Sequence, residues 1–471
     1  MTKFINNNRF FSISVFILVA WRAFLNGAIP LMDKTEARYA EIARIMAETN
    51  NYITPQIDYG IPFWAKPPLS TWFSALSMDI FGVSEFTVRL PYLIFSILLI
   101  FLIGKYAKRE NLPFFLPGFI LVTIPQFFIH AGVVSTDTAL AFCVALVMLS
   151  FWETLHNPKN TIWKYLLFVG FGLGLLAKGP IIFILTLPPI FLWMVFTKSF
   201  KKVFSTVPIF TGALLMLLIA VPWYYLAEQK TPGFIDYFIV GEHFKRFLDS
   251  SWSGDKYGFP KQQPLGIIWV FLLVFALPWI QVILGKLIKN RVTIFKNQWT
   301  LFLLLWLLFT PVFFTVSKSL IHPYILPVMI PIALLTVHYW KNIKQKTLLI
   351  VLSLLIPFAT LIGYGISQSG NKMEHLANTD KYMIERICKK EVPLYYFGEK
   401  SYSSQFYSKG KIKVLKTTND LMELTSKNKT FFLLLPTKKI SELPDSFFMN
   451  FKFLFKNKKT SIYRFLVEPL G

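Results

Sequence analysis

Cysteine is nearly missing from this chain of 471 residues, which contains only Cys143 and Cys388. Cys143 lies in an apolar run and Cys388 lies far downstream, so neither a disulfide framework nor a CxxC metal site can form. Charge is also scarce, because 16% of the residues are charged whereas a soluble domain has about 25%. Hydrophobic residues make up 54%, and apolar runs of about 18 residues or more recur. These proportions exclude a disordered chain and an ordinary soluble protein, and they indicate a multispanning membrane protein.

Acidic residues are few compared with basic ones, 25 against 49, which gives a formal net charge of +24. In a membrane protein, Lys and Arg gather beside helix ends on the cytoplasmic side, so this excess identifies neither an anionic ligand nor a nucleic acid. The first apolar stretch has no small-residue cleavage site and continues through Trp21 and Arg22. We therefore interpret it as an uncleaved first span.

The apolar segments predict a mainly α-helical, polytopic fold with about eleven, and at most about thirteen, transmembrane helices. The eleven segments are 10–29, 89–104, 113–130, 136–155, 163–177, 179–197, 206–227, 264–285, 299–316, 321–340 and 347–366. If the N-terminus is cytoplasmic, Lys and Arg cluster in the inside links, whereas the outside link 131–135 carries none. An odd number of spans then places the C-terminus outside.

Two connections, 30–88 and 228–263, are too long to be simple links, and both fall on the outer face. Residues 33–51 have apolar positions at helical spacing among charged ones, which predicts an amphipathic helix lying along the membrane surface. The apolar stretch 69–82 is too short to span and suits an interfacial or re-entrant helix. Together with the spans, these loops form a predicted transmembrane domain over residues 1–366.

From residue 367 onward the apolar runs shorten. The segments 393–397, 412–415, 430–435, 451–455 and 461–467 are typical of strands, and helical segments near 402–408 and 418–427 alternate with them. We predict a small soluble α/β domain outside the membrane over 367–471. Its excess of lysine suits contact with anionic headgroups. The simpler interpretation is a lid or packing domain without catalytic residues.

Ionisable residues near membrane depth are energetically costly and are therefore functional candidates. The predicted topology places one set of polar side chains on the outer face: Asp33, Lys66, Asp137, Lys178, Glu242, His243, Arg246, Lys318 and Tyr324. Structural roles compete with functional ones, since Asp33 and Asp137 stand where a residue caps a helix. Lys66 and Lys178 also suit anchoring at the headgroups.

The chemistry of these candidates points mainly to anion binding. Two prolines after Lys66 stiffen its loop and present the ammonium between aromatic residues. Lys178 precedes Gly179 and Pro180, which break two apolar spans, so we expect it beside free backbone amides at a helix start. Arg246 suits bidentate capture of a phosphate. A histidine such as His243 suits a metal or a phosphate, or a plain hydrogen bond at the surface.

Seven segments, in this order, resemble those of the integral-membrane glycosyltransferases with the GT-C fold: DKTEARYAEIARIM, IPFWAKPPLSTWFSALSMDIFG, EFTVRLP, STDTALAF, LAKGP, FIDYFIVGEHFKRF and HPYILP. They cover roughly residues 10–340, and the resemblance is to the lipid A aminoarabinose transferase branch, which is related to protein O-mannosyltransferases. It implies an enzyme that moves a sugar, aminoarabinose, galactosamine or similar, from a polyprenyl phosphate carrier to lipid A or a related envelope glycolipid. The implied place is the periplasmic face of the bacterial inner membrane, which makes the domain over 367–471 periplasmic.

The resemblance also implies roles for the candidate residues. Those with implied roles in catalysis are Asp33 and Asp137, and those with implied roles in binding the donor or acceptor phosphate are Lys66, Lys178, Arg246, Tyr324 and Lys318. His243 and Glu242 are candidate ligands of a metal or a phosphate. No cofactor is certain, and a divalent metal near His243 is the one candidate. Family members often have Glu directly before the lysine of the KPP motif, and Ala65 at that position weakens the metal hypothesis.

Two other functions compete with this one. A protein O-mannosyltransferase-like enzyme would use the same donor type with a different acceptor. A transporter or flippase would have charges at mid-span and an internal repeat. Here the charges lie at the outer ends of spans and in the external loops, which favours chemistry at the membrane surface. The expected partners are the sugar donor, a glycolipid acceptor and membrane lipids, with no nucleic acid.

Overall fold

The computed structural model of the chain describes residues 7–245, 254, 256–257, 262–388, 392–427 and 429–466. Helices dominate the part up to Gln368. They are α1 (Asn8–Ala28), α2 (Thr35–Thr49), α3 (Leu69–Phe81), α4 (Glu85–Arg109), α5 (Leu116–Thr123), α6 (Pro125–His130), α7 (Thr136–His156), α8 (Thr161–Lys178), α9 (Ile181–Thr197), α10 (Phe200–Thr206), α11 (Ile209–Lys230), a π-helix (Asp236–Lys245), α12 (Ile267–Phe275), α13 (Trp279–Lys289), α14 (Arg291–Ile294), α15 (Gln298–Phe314), α16 (Met329–Tyr339) and α17 (Lys346–Gln368). Short 3-10 turns, His322–Val328 and Trp340–Asn342, flank α16.

Seven helical units of the described chain are long and apolar enough to cross a membrane: α1, α4, α7, α8, α11, the unit His322–Asn342 and α17. Helices α12 and α13 meet at a bend of 107° and form an eighth candidate if they are one broken span. The chain is therefore a mainly helical, multi-pass membrane protein. The other three of the eleven predicted spans coincide with the shorter helices α9 and α15 and with the pair α5 and α6, which breaks before Pro125 because the residue preceding a proline disfavours helix.

Helix α7 is central to the bundle, since nearly all of its side chains are buried. Gly170 of α8 faces it so closely that a Cβ at this position would lie 2.8 Å from the Cγ2 atom of Val147. Small residues allow helices in membranes to approach in this way. Because α7 and α8 are consecutive and pack side by side, the start of α7 and the end of α8 lie at the same end of the bundle.

The connection between α1 and α4 folds onto that end of the bundle. It contains α2, a short hairpin of β1 (Gln56–Asp58) and β2 (Ile61–Pro62), and α3. Helix α2 forms at the position predicted for an amphipathic helix, and α3 has 13 residues, as expected for a segment too short to span. Ala40 and Ala43 of α2 are fully buried, in a cluster that includes Met78 of α3 and Phe406 from the C-terminal part of the chain.

The C-terminal part contains α18 (Lys372–Leu376), α19 (Lys381–Ile387), β3 (Leu394–Phe397), α20 (Tyr402–Tyr407), β4 (Lys413–Leu415), α21 (Thr418–Ser426), β5 (Phe432–Pro436), β6 (Phe451–Lys456) and β7 (Thr460–Phe465). The five strands form one sheet in the order β4-β3-β5-β7-β6. Strand β3 is parallel to β4 and β5, whereas β7 is antiparallel to β5 and β6. The strands and helices predicted for this region lie within about two residues of the observed ones, whereas α18 and α19 were not predicted. Leu434 and Leu435 belong to separate apolar clusters, as alternation along a strand buried on both faces requires.

Candidate functional site

A cavity of about 340 Å³ opens at the end of the bundle where α7 begins and α8 ends. Its polar lining residues are Lys66, Asp137, Lys178, Glu242, His243, Ser317, Ser319 and Tyr324. The rest of its wall is apolar and consists of Leu140, Pro180, Ile181, Ile184, Leu185, Phe244, Phe313, Phe314 and Pro327. A charged end and an apolar wall together suit an amphiphilic ligand that has an anionic head.

Asp137 lies in the first turn of α7 with its carboxylate in this cavity. Ser135, and not Asp137, is the N-cap: its hydroxyl accepts a hydrogen bond from the Asp137 amide at 3.1 Å and donates one to Oδ2 at 2.9 Å. The capping interpretation of Asp137 is therefore wrong. Oδ1 instead accepts a hydrogen bond from Lys178 Nζ at 2.5 Å, and the Asp137 residue is only 6% exposed. The helix start thus presents a buried carboxylate that is already paired with a cation.

Lys178 is the last residue of α8, and its ammonium lies between two partners. Besides Asp137, it lies 4.3 Å from the centroid of the Tyr324 ring, a distance suited to a cation–π contact. The expected free amides are not all present, because the Gly179 N–H donates to Leu175 O at 2.9 Å and Pro180 has no N–H. The ammonium group is therefore the main anion-binding element here.

Lys66 reaches the same cavity from the loop before α3. Its Nζ lies 3.0 Å from Glu242 Oε2 and donates to the carbonyl oxygen of Ala65 at 2.6 Å. Glu242 comes from the π-helix, and its side chain is 3% exposed. Position 65 has no carboxylate, and Glu242 supplies one beside this lysine. Glu242 is thus an ion-pair partner of Lys66 in this structure.

His243 lies in the cavity wall with both ring nitrogens directed at main-chain oxygens. Nδ1 is 2.8 Å from Phe238 O, and Nε2 is 3.2 Å from Lys178 O. Burial lowers the pKa of His243. Within the described ranges, no group of three or more His, Cys, Asp or Glu side chains is arranged to hold a metal ion. The hypothesis of a divalent metal near His243 therefore has no support from this geometry.

Three further candidates are Tyr324, Lys318 and Arg246. Tyr324 lines the cavity through its contact with Lys178. Lys318 is exposed, and its neighbours Ser317 and Ser319 line the cavity. The main-chain oxygen of Lys318 accepts a hydrogen bond from Gln263 N at 2.8 Å. Arg246 lies outside the described residues.

Asp33 lines a different cavity, of about 700 Å³, between the connection from α1 to α4 and the C-terminal sheet. Its Oδ2 accepts hydrogen bonds from Lys459 Nζ at 2.5 Å and from the Ser403 hydroxyl, and Oδ1 accepts from the Ser403 amide at 3.0 Å. The structure therefore brings Asp137, Lys178, Lys66, Glu242, His243 and Tyr324 together and separates Asp33 from them.

The partners of Asp33 are absent from the sequence-based candidates. Lys459 Nζ also lies 3.0 Å from Asp380 Oδ2, and Asp380 in turn accepts from the Ser401 and Ser404 hydroxyls at 2.7 Å each. Burial opposes the charged form of Lys459, but the carboxylates of Asp380 and Asp33 outweigh it and raise the pKa. The only sequence signal for this cluster is the lysine excess of the C-terminal part, which does not single out Lys459.

Comparison with solved structures identifies the class of fold. The chain matches two crystal structures of ArnT from Cupriavidus metallidurans, one bound to undecaprenyl phosphate and one in the apo state. Both matches have a TM-score of 0.77 and cover 96% of this chain and 97% of the other, at 17% and 15% sequence identity. The chain therefore has the fold of these integral-membrane proteins along nearly its whole length.

Sequence comparison is more specific. Residues 10–238 match the family described as dolichyl-phosphate-mannose-protein mannosyltransferase. The chain is 29% identical over 330 residues to undecaprenyl phosphate-alpha-4-amino-4-deoxy-L-arabinose arabinosyl transferase 1 of Proteus mirabilis, covering 67% of this chain and 56% of the relative. It is 26% identical over 336 residues to the corresponding transferase of Serratia proteamaculans, covering 70% and 59%. The chain thus spans somewhat more than half the length of these curated relatives. These matches confirm the predicted resemblance to GT-C glycosyltransferases of the aminoarabinose transferase branch.

Proposed function

We propose that this chain is a polyprenyl-phosphate-dependent glycosyltransferase. It transfers aminoarabinose, galactosamine or a similar sugar to lipid A or a related envelope glycolipid. The observation that carries the proposal is the cavity at the start of α7, which combines two lysines, each paired with a buried carboxylate, with an apolar wall. A sugar attached to a polyprenyl phosphate has matching parts: a phosphate for Lys66 and Lys178, and an apolar chain for the wall formed by residues such as Ile181 and Phe313.

The reaction breaks the bond between the anomeric carbon of the sugar and the donor phosphate. The phosphate leaves with one more negative charge, so fixed cations beside it lower the barrier. Lys178 is suited to this task because Asp137 and Tyr324 hold its ammonium in place. Lys66, held by Glu242, offers a second positive group. Attack from the face opposite the leaving phosphate inverts the configuration at the anomeric carbon.

The acceptor decides whether a base is needed. A lipid phosphate is already anionic, so no proton has to be removed before it attacks. Asp137 then orients Lys178 and stabilises positive charge that develops at the anomeric carbon. A hydroxyl acceptor would need a carboxylate as general base. The role of Asp33 as a second catalytic carboxylate stays a prediction, and its place in the other cavity makes it the role most in need of a test.

For the topology, we propose eleven spans in the bacterial inner membrane, with the short helices α9 and α15 and the broken pair α5 and α6 as three of them. Asn8 then lies on the cytoplasmic side, and both cavities lie on the periplasmic side. Residues 1–366 form the catalytic domain, and residues 367–471 form a periplasmic α/β domain. The clustering of Lys and Arg in the opposite links supports this orientation.

Mass spectrometry of intact lipid A tests the proposal, with cells that carry the gene compared with cells that lack it. We expect the deletion to remove a sugar-sized mass from the phosphate groups, and the wild-type gene to restore it. The Asp137→Asn variant should restore less than about 1% of it, since loss of one such electrostatic contact costs roughly 10²–10³ in rate. Asp79→Asn, at an exposed position of α3, is the matched control and should restore it fully.

Other results would redirect or reject parts of the proposal. Unchanged lipid A after deletion would reject lipid A as the acceptor. The acceptor would then be another glycolipid or a protein, and a protein acceptor corresponds to the alternative of a protein O-mannosyltransferase-like enzyme. Full restoration by Asp137→Asn would remove Asp137 from the mechanism. The sequence relatives named above are arabinosyl transferases, which favours a sugar transferase over a transporter or flippase.

A further inference from the structure

The second cavity lies where the strand order of the C-terminal sheet reverses. Strand β3 lies between β4 and β5, so the chain leaves β3 toward one side and, after β4, crosses to the other side to form β5. The three strands are parallel, and their carboxyl ends therefore meet at one edge. In open α/β sheets, ligands bind in the crevice outside the carboxyl ends of the strands where the strand order reverses. The cavity lies there, since residues 399–402 follow β3 and residues 436–439 include the end of β5 and the turn after it.

Lysines dominate the lining of this crevice. They are Lys34, Lys400, Lys438, Lys439, Lys458 and Lys459, against the two acidic residues Asp33 and Glu399. Some have carboxylate partners, such as Lys400, which lies 3.1 Å from Asp58 Oδ1. Lys438 and Lys458 are exposed and form no ion pair with any residue in the described ranges. The crevice therefore has uncompensated positive charge.

The two unpaired lysines lie at the same end of the β5–β7 ladder. Pro436 pairs with Thr460, and the Thr437 amide donates to the Lys459 carbonyl oxygen at 2.8 Å, so Lys438 and Lys458 are the residues directly beyond. Both lysines belong to the lining of the crevice, where an anion would meet two ammonium groups that have no carboxylate partner in the described chain.

Two further features show that the crevice is shaped for such a ligand. Gly398, just after β3, has φ +94°, and a Cβ at this position would lie 3.0 Å from Cδ of Lys439, so glycine lets that lysine lie over the strand end. At the inner end of the crevice, the Asp33 carboxylate is held by the Ser403 amide and by Lys459. The crevice thus already binds one anionic group of the chain itself.

We propose that this crevice is a phosphate-binding site, separate from the cavity at α7, and that its ligand is a phosphate group esterified at most once, as in inorganic phosphate or a phosphate monoester. The group comes from an anionic lipid headgroup or from free phosphate. Asp33 follows α1 by five positions, so the crevice lies close to a membrane-spanning helix and within reach of headgroups. The inference does not depend on the proposed glycosyl transfer.

Lysine footprinting of the purified full chain in detergent micelles tests this site directly. An amine-reactive reagent is applied with inorganic phosphate, with dioctanoyl phosphatidic acid or with dioctanoylglycerol, which lacks the phosphate, and labelling is read residue by residue by mass spectrometry. At a ligand concentration about ten times Kd, occupancy should slow labelling of Lys438 and Lys458 about tenfold. Lys413 and Lys452, exposed lysines on the outer strands β4 and β6, are the internal controls and should label at unchanged rates.

Each outcome bears on the proposal. Protection by both phosphates identifies a site for the free ion, and protection by the lipid alone identifies a headgroup site. Protection by neither, or equal protection of Lys413 and Lys452, overturns the proposal. In the double variant Lys438→Ala and Lys458→Ala, protection of Lys439 should be lost, because the ligand then lacks two of the cations that bind it. Binding at the α7 cavity does not involve these positions. Undiminished protection of Lys439 in that variant would also overturn it.

Discussion

Asp33 Oδ2 and Lys459 Nζ lie 2.5 Å apart although 426 positions separate the two residues in the chain. Asp380 completes this contact at 3.0 Å from the same ammonium group. The Asp33 amide also donates to Asn378 O at 2.9 Å, which adds a main-chain contact between the same regions. The connection from α1 to α4 and the C-terminal sheet are thus held together by a buried ionic cluster. We refer to Asp33, Asp380 and Lys459 as the docking cluster.

Replacement of Lys459 by methionine should release the C-terminal sheet. The substitution leaves two carboxylates, 6% and 0% exposed, without their cation, and breaking a buried ion pair costs about 3–5 kcal/mol. We expect faster limited proteolysis within residues 392–466 in the purified variant. Lys458→Met is the matched control, since Lys458 is adjacent and exposed and has no ion pair in the described chain, and its cleavage rate should equal that of the wild type.

The same assay separates two roles of Asp33. If Asp33 acts through docking, Asp33→Asn lowers sugar transfer together with resistance to proteolysis, and the Lys459→Met variant loses both as well. If Asp33 is catalytic, as the sequence resemblance implies, Asp33→Asn abolishes transfer while Lys459→Met retains it. We expect the first result from the contacts of the docking cluster, and the second would reject it.

The docking cluster should make the contact between the two regions depend on pH. Burial raises the pKa of Asp380, but the charge of Lys459 and the hydrogen bonds from Ser404 and Ser401 together lower it by more. The contribution of Asp380 to stability is therefore present above the unfolded pKa of about 4 and is lost as the pH falls through the folded value. The pKa of Lys459 is raised, so its contribution is present below about pH 10 and is lost as the pH rises through the folded value.

Resistance to proteolysis should therefore be greatest between about pH 4 and pH 10 and should fall on both sides. Limited proteolysis measures this profile at each pH at which the protease is active, and hydrogen exchange measures it at the remaining acidic and alkaline pH values. Asp380→Asn should remove much of the fall in resistance on the acid side, which we call the acid limb. An acid limb identical in that variant and in the wild type would show that other carboxylates control docking.

Substitution of Gly179 should disturb the α7 cavity through the π-helix. Gly179 has φ +77°, and a Cβ there would lie 2.6 Å from the Phe238 ring and 3.1 Å from His243 Cε1. Gly179→Ala should therefore push the π-helix away and weaken donor binding, measured as a higher KM for the polyprenyl phosphate sugar. Gly266 has the same φ, but an added Cβ there has no neighbour within 4 Å. Gly266→Ala therefore measures the effect of backbone strain without a steric clash. Equal changes in KM for the two variants would refute the steric argument.

Lys66 and Glu242 should behave as a coupled pair in donor binding. Lys66→Met removes the cation, and Glu242→Gln frees it from its partner 3.0 Å away. Residues in direct contact show coupling of about 0.5–3 kcal/mol, so the double variant should lose less binding energy than the sum of the single losses. Binding of the donor to the four proteins gives this cycle. Strict additivity would mean that Glu242 does not position Lys66 for the donor.

Much of this arrangement follows from patterns that are local in the chain. Long apolar runs predicted the helices of the membrane part, and shorter apolar segments predicted the strands of the C-terminal sheet, because both depend on which side chains must leave water within one segment. The same runs place the start of α7 and the end of α8 at one end of the bundle, so the contact between Asp137 and Lys178 could be predicted from the sequence. Opposite charges at the same end of two consecutive spans indicate such a pair.

Patterns in the chain were enough to predict the membrane class of the protein, most of its helices and strands, and the resemblance that named six of the eight polar residues lining the α7 cavity. Which of these residues meet depends on tertiary packing. It joined Lys66 to Glu242 and Asp33 to Lys459, and it separated Asp33 from Asp137. The physical reason is that these contacts depend on how distant segments pack, since a charged side chain in a loop pairs with whichever opposite charge the fold brings to it. No local pattern around Asp33 encodes a lysine near the far end of the chain.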